Sequence, residues 1–165
     1  MGRLPSTWAG RIIQSRWPYE ISGELLLTTG LTGTQYPDAT FQNGQDKPFE
    51  MHRMIPRVYA LDSSNVLLTT QPDQELLLGL VRARITDLGR EQLITKNPTI
   101  LGALLKGSSE RTWEFAEPMY IIRSEQIQIV LDALTFPAIS SLSKLRVVIT
   151  FEGFVCIVAP PSENR

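Results

Sequence analysis

Few residues in this chain have types that could do chemistry, and their spacing argues against it. There is one histidine, His52, and one cysteine, Cys156. A metal site built from imidazoles or thiolates needs three or four such ligands, so neither kind can be assembled. A Ser-His-Asp arrangement would have to recruit His52, but Glu50-Met51-His52-Arg53 is a strand-like context without a nucleophile-elbow motif. A histidine among alternating residues reads as a structural or surface side chain. Cys156 sits in Phe154-Val155-Cys156-Ile157-Val158, the setting of a small buried apolar residue. Being single, it can form no internal disulfide, and it does not call for an oxidising compartment.

Two other patterns have residue types that could do chemistry. Paired carboxylates on a β-sandwich can hydrolyse glycosides, and Glu114 and Glu117 lie near Trp113 and Phe115. Three residues apart in a regular strand, however, they fall on opposite faces, which reads as a solvated strand running into a turn at Pro118. Gly30-Leu31-Thr32-Gly33-Thr34 has neither the Lys-Ser/Thr of a phosphate-binding loop nor the spacing of a dinucleotide fingerprint. The sequence therefore predicts no catalytic residue, cofactor, metal or small-molecule substrate, and a protein that is not an enzyme.

Binding residues are easier to nominate. Residues 1 to 47 interleave Arg3, Arg11 and Arg16 with Trp8, Trp17 and Tyr19, and carry no acid before Glu20. Nucleic-acid stacking uses such residues, but so does docking on an acidic protein surface, where Trp, Tyr and Arg dominate. In the whole chain 16 Lys and Arg nearly cancel 17 Asp and Glu. Without the cationic surplus that nucleic acid demands, these six residues are expected to contact protein. The N-terminus lacks the apolar run of a secretory signal, and no stretch approaches the roughly 20 apolar residues that cross a bilayer, so a cytoplasmically made protein with no membrane partner is expected.

The elements that must position these residues are strands. A chain of 165 residues fills about one domain. Leu145, Val147, Ile149 and Phe151 alternate with Arg146, Val148, Thr150 and Glu152, and a similar alternation runs from Ile127 to Leu131. This period of two predicts antiparallel strands with one face in a core and the other toward solvent or a partner. Further strands are expected over Phe49–Leu61, Val66–Thr70, Leu76–Thr86 with a bulge near Gly79, Thr112–Phe115, Met119–Ile122, Gln126–Ala133 and Leu145–Val158. Turn clusters fall at 62–65 and 71–73, and Asn97–Lys106, with Pro98 at its start and Gly107 at its end, suits a helix of one or two turns.

Residues 1–47 differ in composition, with three prolines and only one short apolar run, Leu25-Leu26-Leu27. They are expected to form an extended arm, with a strand or two laid over something else, that makes few contacts with its own domain and many with neighbouring chains. Residues 48–165 then form an all-β, antiparallel β-sandwich of jelly-roll type with at most one or two short helices.

The run from Trp113 through Pro118, Tyr120 and Arg123 to Ile129, with Lys47-Pro48-Phe49-Glu50-Met51-His52-Arg53 upstream, resembles the small jelly-roll decoration or cement proteins of tailed bacteriophage heads. The resemblance covers residues 47–158 and lies in a cadence of aromatic, acidic, proline and alternating residues. It implies a virion component on the outer capsid surface, a homotrimer that clamps adjacent major capsid protein subunits. Other readings of the same residues are a tail, baseplate or head-to-tail connector protein, and a β-sandwich module that binds a glycan or host surface.

Overall fold

The structure, a computed structural model, describes residues 7–9, 11–28, 38–95, 97–105, 112–133 and 139–159. Ten strands and two short helices occur among them: β1 (Thr7–Trp8), β2 (Arg11–Thr28), β3 (Asp38–Gln42), β4 (Phe49–Leu61), α1 (Gln74–Gly79), β5 (Val81–Asp87), β6 (Gln92–Leu93), β7 (Thr99–Ile100), α2 (Leu101–Leu104), β8 (Trp113–Ile121), β9 (Gln126–Ala133) and β10 (Lys144–Val158). One sheet runs β1-β2-β10-β4-β8; the other runs β3-β9-β5-β6, with β7 also on β5.

The pairings define a jelly roll. Setting aside the two-residue β1, first pairs with last, β2 with β10; then β3 with β9, β4 with β8, and β5 with β6, all antiparallel. That is a long hairpin folded in half. Rolling it brings β10 against β4 and β9 against β5, so successive pairs alternate between the two sheets. The expected all-β sandwich of jelly-roll type is the fold observed.

The strand faces sort as their period requires. Leu145, Val147, Ile149 and Phe151 are buried between the sheets with Met54, Val58, Ile85, Ile127 and Ile129, while Arg146, Thr150 and Glu152 lie on the other face. Phe41 from β3 meets Phe151 edge-on at 5.1 Å. The Phe41 ring reaches the core over Gly23, where an added Cβ would stand 2.8 Å from it. A β-carbon at this crossing would push the sheets apart.

Several expectations change. Residues 11–28 and 38–42 do not stand off from their own domain: β2 pairs with β10 along nearly its full length, and Leu25, Leu27 and Phe41 enter the core. Low apolar content was a poor guide here, because a strand paired along a sandwich edge needs only its alternate side chains to be buried. The boundary at residue 47 falls between β3 and β4, adjacent strands of different sheets.

Leu76–Gly79 is helical rather than the start of a bulged strand. The Gln74 side chain binds both backbone groups of Val58, and its Oε1 accepts from Val58 N at 3.1 Å, so the turn docks on β4 with Leu77 and Leu78 in the core. Val66–Thr70 is a turn with a single bridge, Leu67 to Leu61, and no strand. The segments expected at 112–115 and 119–122 are one strand, β8. The helix near 97–106 shrinks to Leu101–Leu104, and its expected stop at Gly107 lies outside the described residues.

Candidate functional site

The polar chemistry of the chain gathers at one end of the first sheet. In β4, His52 is an extra residue between the pairs Glu152↔Arg53 and Gly153↔Met51, and β8 is irregular opposite it. A bulge bends its strand and increases the local twist. Beyond it the sheet curls until Trp8 on β1 stands 6.3 Å, ring to ring, from Tyr120 on β8, at the other edge of the same sheet. The face that looks outward over most of the sheet here turns into an enclosed concavity. Gly153 permits the bend: a Cβ there would lie 1.9 Å from the Glu50 carbonyl oxygen.

Glu50 lies at the centre, fully buried. Its neighbours Phe49 and Met51 face the core, so the carboxylate points into the curl. Arg16 Nε donates to Oε2 at 2.8 Å, the Cys156 thiol donates to the same oxygen at 3.0 Å, and His52 Nε2 donates to Oε1 at 3.0 Å. The His52 ring also meets Phe154 edge-on at 5.4 Å. One carboxylate thus joins β2, β4 and β10, three adjacent strands, and Tyr120 brings in β8.

Burial and the facing carboxylate decide what these groups can do. Burial, then the hydrogen bond to Glu50 and its charge, push the Cys156 thiol up to about 12. Tyr120 is likewise pushed up to about 12, by burial first and then by the charge of Glu50. For Arg16, burial acts downward, but the hydrogen bond to Glu50 and its charge outweigh it and raise the guanidinium. A nucleophilic cysteine needs a depressed pKa and access; Cys156 has the reverse on both counts. The cluster holds strands together and keeps its thiol inert. Among the described residues, no group of three or more His, Cys, Asp or Glu could hold a metal ion. No helix among them is long and apolar enough to cross a membrane.

Of the six nominated binding residues, Arg3 lies outside the described residues. Trp8 packs on Tyr120, Arg11 Nε donates to the Ala159 carbonyl at 2.7 Å, and Arg16 belongs to the Glu50 cluster. Tyr19 meets Phe49 edge-on at 5.4 Å, whereas Trp17 stands 63% exposed. The structure therefore brings Trp8, Arg11 and Arg16 together around the curl and leaves Trp17 outside it. Glu50 was missed by sequence reasoning. The available signal was its place between Phe49 and Met51, which a period of two assigns to solvent unless the outer face is itself enclosed.

No family model and no curated protein matches the chain. A chain of the cyanophage Pam1 capsid asymmetric unit is similar in structure, with a TM-score of 0.41 and 16% identity over 92% of this chain and 93% of that one. At that distance the likeness is coarse and assigns no role to any residue.

Proposed function

We propose that the chain is a structural virion protein that decorates and stabilises a bacteriophage capsid by binding the outside of the major capsid protein shell. The observation that carries this reading is where the molecule spends its reactive groups. Its histidine and its cysteine are both bonded to the fully buried Glu50 inside the curl, and the three rivet strands together. The outer face of the second sheet carries Gln42, Gln126, Gln128, Thr40 and Thr86 beside charged residues such as Arg82 and Asp132, which pair with each other, and no reactive constellation among the described residues. A rigid jelly roll with inert chemistry suits a clamp, which acts by mass action: area buried only in the assembled shell stabilises only the shell. The sequence cadence of phage head decoration proteins at 47–158 adds to this reading.

The test is to assemble heads with and without the chain and to compare copy number and heat resistance. Hundreds of copies per head and a higher disruption temperature are expected. A handful of copies located at the tail or portal would instead favour a tail or connector role. Binding of the isolated protein to sugars, with none to heads, would favour a glycan-binding module.

A further inference from the structure

Asn43 is the one asparagine in the chain that precedes a glycine. The carboxamide carbon of an asparagine can be attacked by the backbone nitrogen of the next residue, and glycine, with no β-carbon to hinder the approach, leaves that nitrogen most open. After Asn65 and Asn164 come the bulkier Val66 and Arg165, and after Asn97 comes Pro98, which has no N–H. Asn43-Gly44 lies in the loop between β3 and β4. Gly44 is exposed, and a Cβ added to it would have nothing nearer than the Tyr19 hydroxyl, at 3.7 Å. The Asn43 side chain is the opposite, fully buried.

Three hydrogen bonds hold that side chain. Nδ2 donates to the Lys47 carbonyl at 2.8 Å and to the Ile121 carbonyl at 3.0 Å, and Oδ1 accepts from Gln45 N at 2.9 Å. Both amide hydrogens are thus used, and one of them reaches the last residue of β8, which pairs with Phe49 at the start of β4. Two contacts at the surface join the same segments: Gln42 Nε2 donates to the Arg123 carbonyl at 2.8 Å, and Arg123 pairs with Asp46. Asn43 is the buried clip between the β3–β4 loop and the end of β8. To bring its carboxamide carbon onto the Gly44 nitrogen the side chain has to rotate, and rotation breaks the bonds that hold it.

We propose that Asn43 is a site of spontaneous deamidation that the fold keeps closed, and that the reaction, once it has occurred, prevents the clip from forming again. In the open loop the Gly44 nitrogen forms a bond to Asn43 Cγ, the Cγ–Nδ2 bond breaks, and Nδ2 leaves as ammonia with the Gly44 proton. Water then opens the five-membered imide at either carbonyl, giving aspartate or isoaspartate with no change of oxidation state. Neither product replaces the amide. An ionised aspartate has no donor for the carbonyls of Lys47 and Ile121 and would bury a charge beside them. Isoaspartate also lengthens the backbone by a carbon atom. A chain that dwells with this loop open is withdrawn from the folded population, whereas a folded chain is preserved. The inference concerns the chain's own fold, so it stands or falls independently of the proposed capsid role.

The experiment incubates the full chain at physiological temperature and pH, in buffer and in strong denaturant, and follows the peptide that contains Asn43 by mass spectrometry. In denaturant, the exchange of amide for acid should appear at Asn43 ahead of the other asparagines. In buffer it should be slower by at least about tenfold, because the three hydrogen bonds must open first. Gly44→Ala, for which the loop has room, should fold as the wild type does and react more slowly in denaturant. Chains deamidated in denaturant and returned to buffer should melt lower than chains denatured only briefly, or show no native transition, and Asn43→Asp should share that defect. Equal rates in buffer and denaturant, no reaction at Asn43 in denaturant, a Gly44→Ala chain that reacts as fast as the wild type, or deamidated chains that regain the wild-type melting temperature would each overturn the proposal.

Discussion

The two halves of β10 are held by different physics. From Leu145 to Phe151 its buried face lies over the second sheet and packs only hydrocarbon and aromatic rings. From Gly153 to Val158 the opposite face is the enclosed one, and its centre is a carboxylate with three donors. An apolar core loses stability in proportion to the contacts removed. A buried charge behaves otherwise: it is tolerated while every partner is present, and removing one leaves a desolvated group uncompensated. The bulge at His52, with Gly153 opposite it, is what allows one strand to serve both environments.

The largest expected effect concerns β2, which belongs to both halves. Deleting residues 2–40 removes that strand and most of β3, leaving one edge of β10 unpaired and the core open beside Leu145 and Phe151. The truncated chain should lack a cooperative thermal transition. A folded truncation would mean that the β2–β10 pairing contributes little, and the comparison between halves would lose its common element.

Next come two single substitutions, one in each half. Phe151→Ala should cost about 3–5 kcal/mol by cavity formation. Arg16→Met should cost a similar 3–5 kcal/mol, because Glu50 would stay buried without its cation. The double substitution Arg16→Met with Glu50→Leu separates the two mechanisms. It should recover most of the loss, since two apolar groups need no partners, whereas Phe41→Ala added to Phe151→Ala should only deepen the cavity. Denaturant titration of these four variants and of Glu50→Leu against the wild type checks this, and a double substitution that loses as much as the Arg16 and Glu50 singles together would show that the cluster is not a charge network.

Raising the pH should unpick the curled half alone. Cys156 and Tyr120 ordinarily ionise near 9.0 and 10.0, and the fold pushes both up to about 12. Groups kept neutral by the fold contribute stability that is complete below the unfolded pKa and is lost as pH rises through the folded one. The melting temperature should therefore begin to fall near pH 9 and continue to fall toward pH 12. In Cys156→Ala the fall should begin nearer pH 10, where Tyr120 takes over. In the native protein the Cys156 thiol should resist alkylation, and unfolding should expose it.

What the sequence made legible follows the same division. Over Leu145–Phe151, both sheet faces meet their ordinary environments, so a period of two reads directly as core and surface. Over 49–53 and 153–156 the outer face is enclosed, and the alternation that places Glu50 opposite Phe49 and Met51 carries no mark of that enclosure. The bulge at His52 has no distinctive residue type to announce it. Gln74–Gly79 misled for another reason. Three successive leucines fit a strand as well as a short helix, and the tie from Gln74 to Val58 that selects the helix is a tertiary contact. The Pro- and Gly-bearing composition of residues 1–47 hid that its long strand pairs within its own domain, where its neighbour's backbone supplies its stability.

The smallest expected effect lies on the face that remains open. Arg146 sits opposite Leu145 and Val147 in the alternation, with its guanidinium 5.5 Å from the centre of the Tyr59 ring across the β10–β4 ladder. Arg146 is half-buried on this face, and a cation over an aromatic face contributes about 0.5–1 kcal/mol. Arg146→Ala should therefore cost about 0.5–1 kcal/mol, well below Phe151→Ala on the same strand. Arg146→Lys should restore part of it, because the ammonium keeps the charge but not the planar stacking. If Arg146→Ala cost as much as Phe151→Ala, the outer face over Leu145–Phe151 would have to be enclosed as the curl is, and the two halves of β10 would no longer differ.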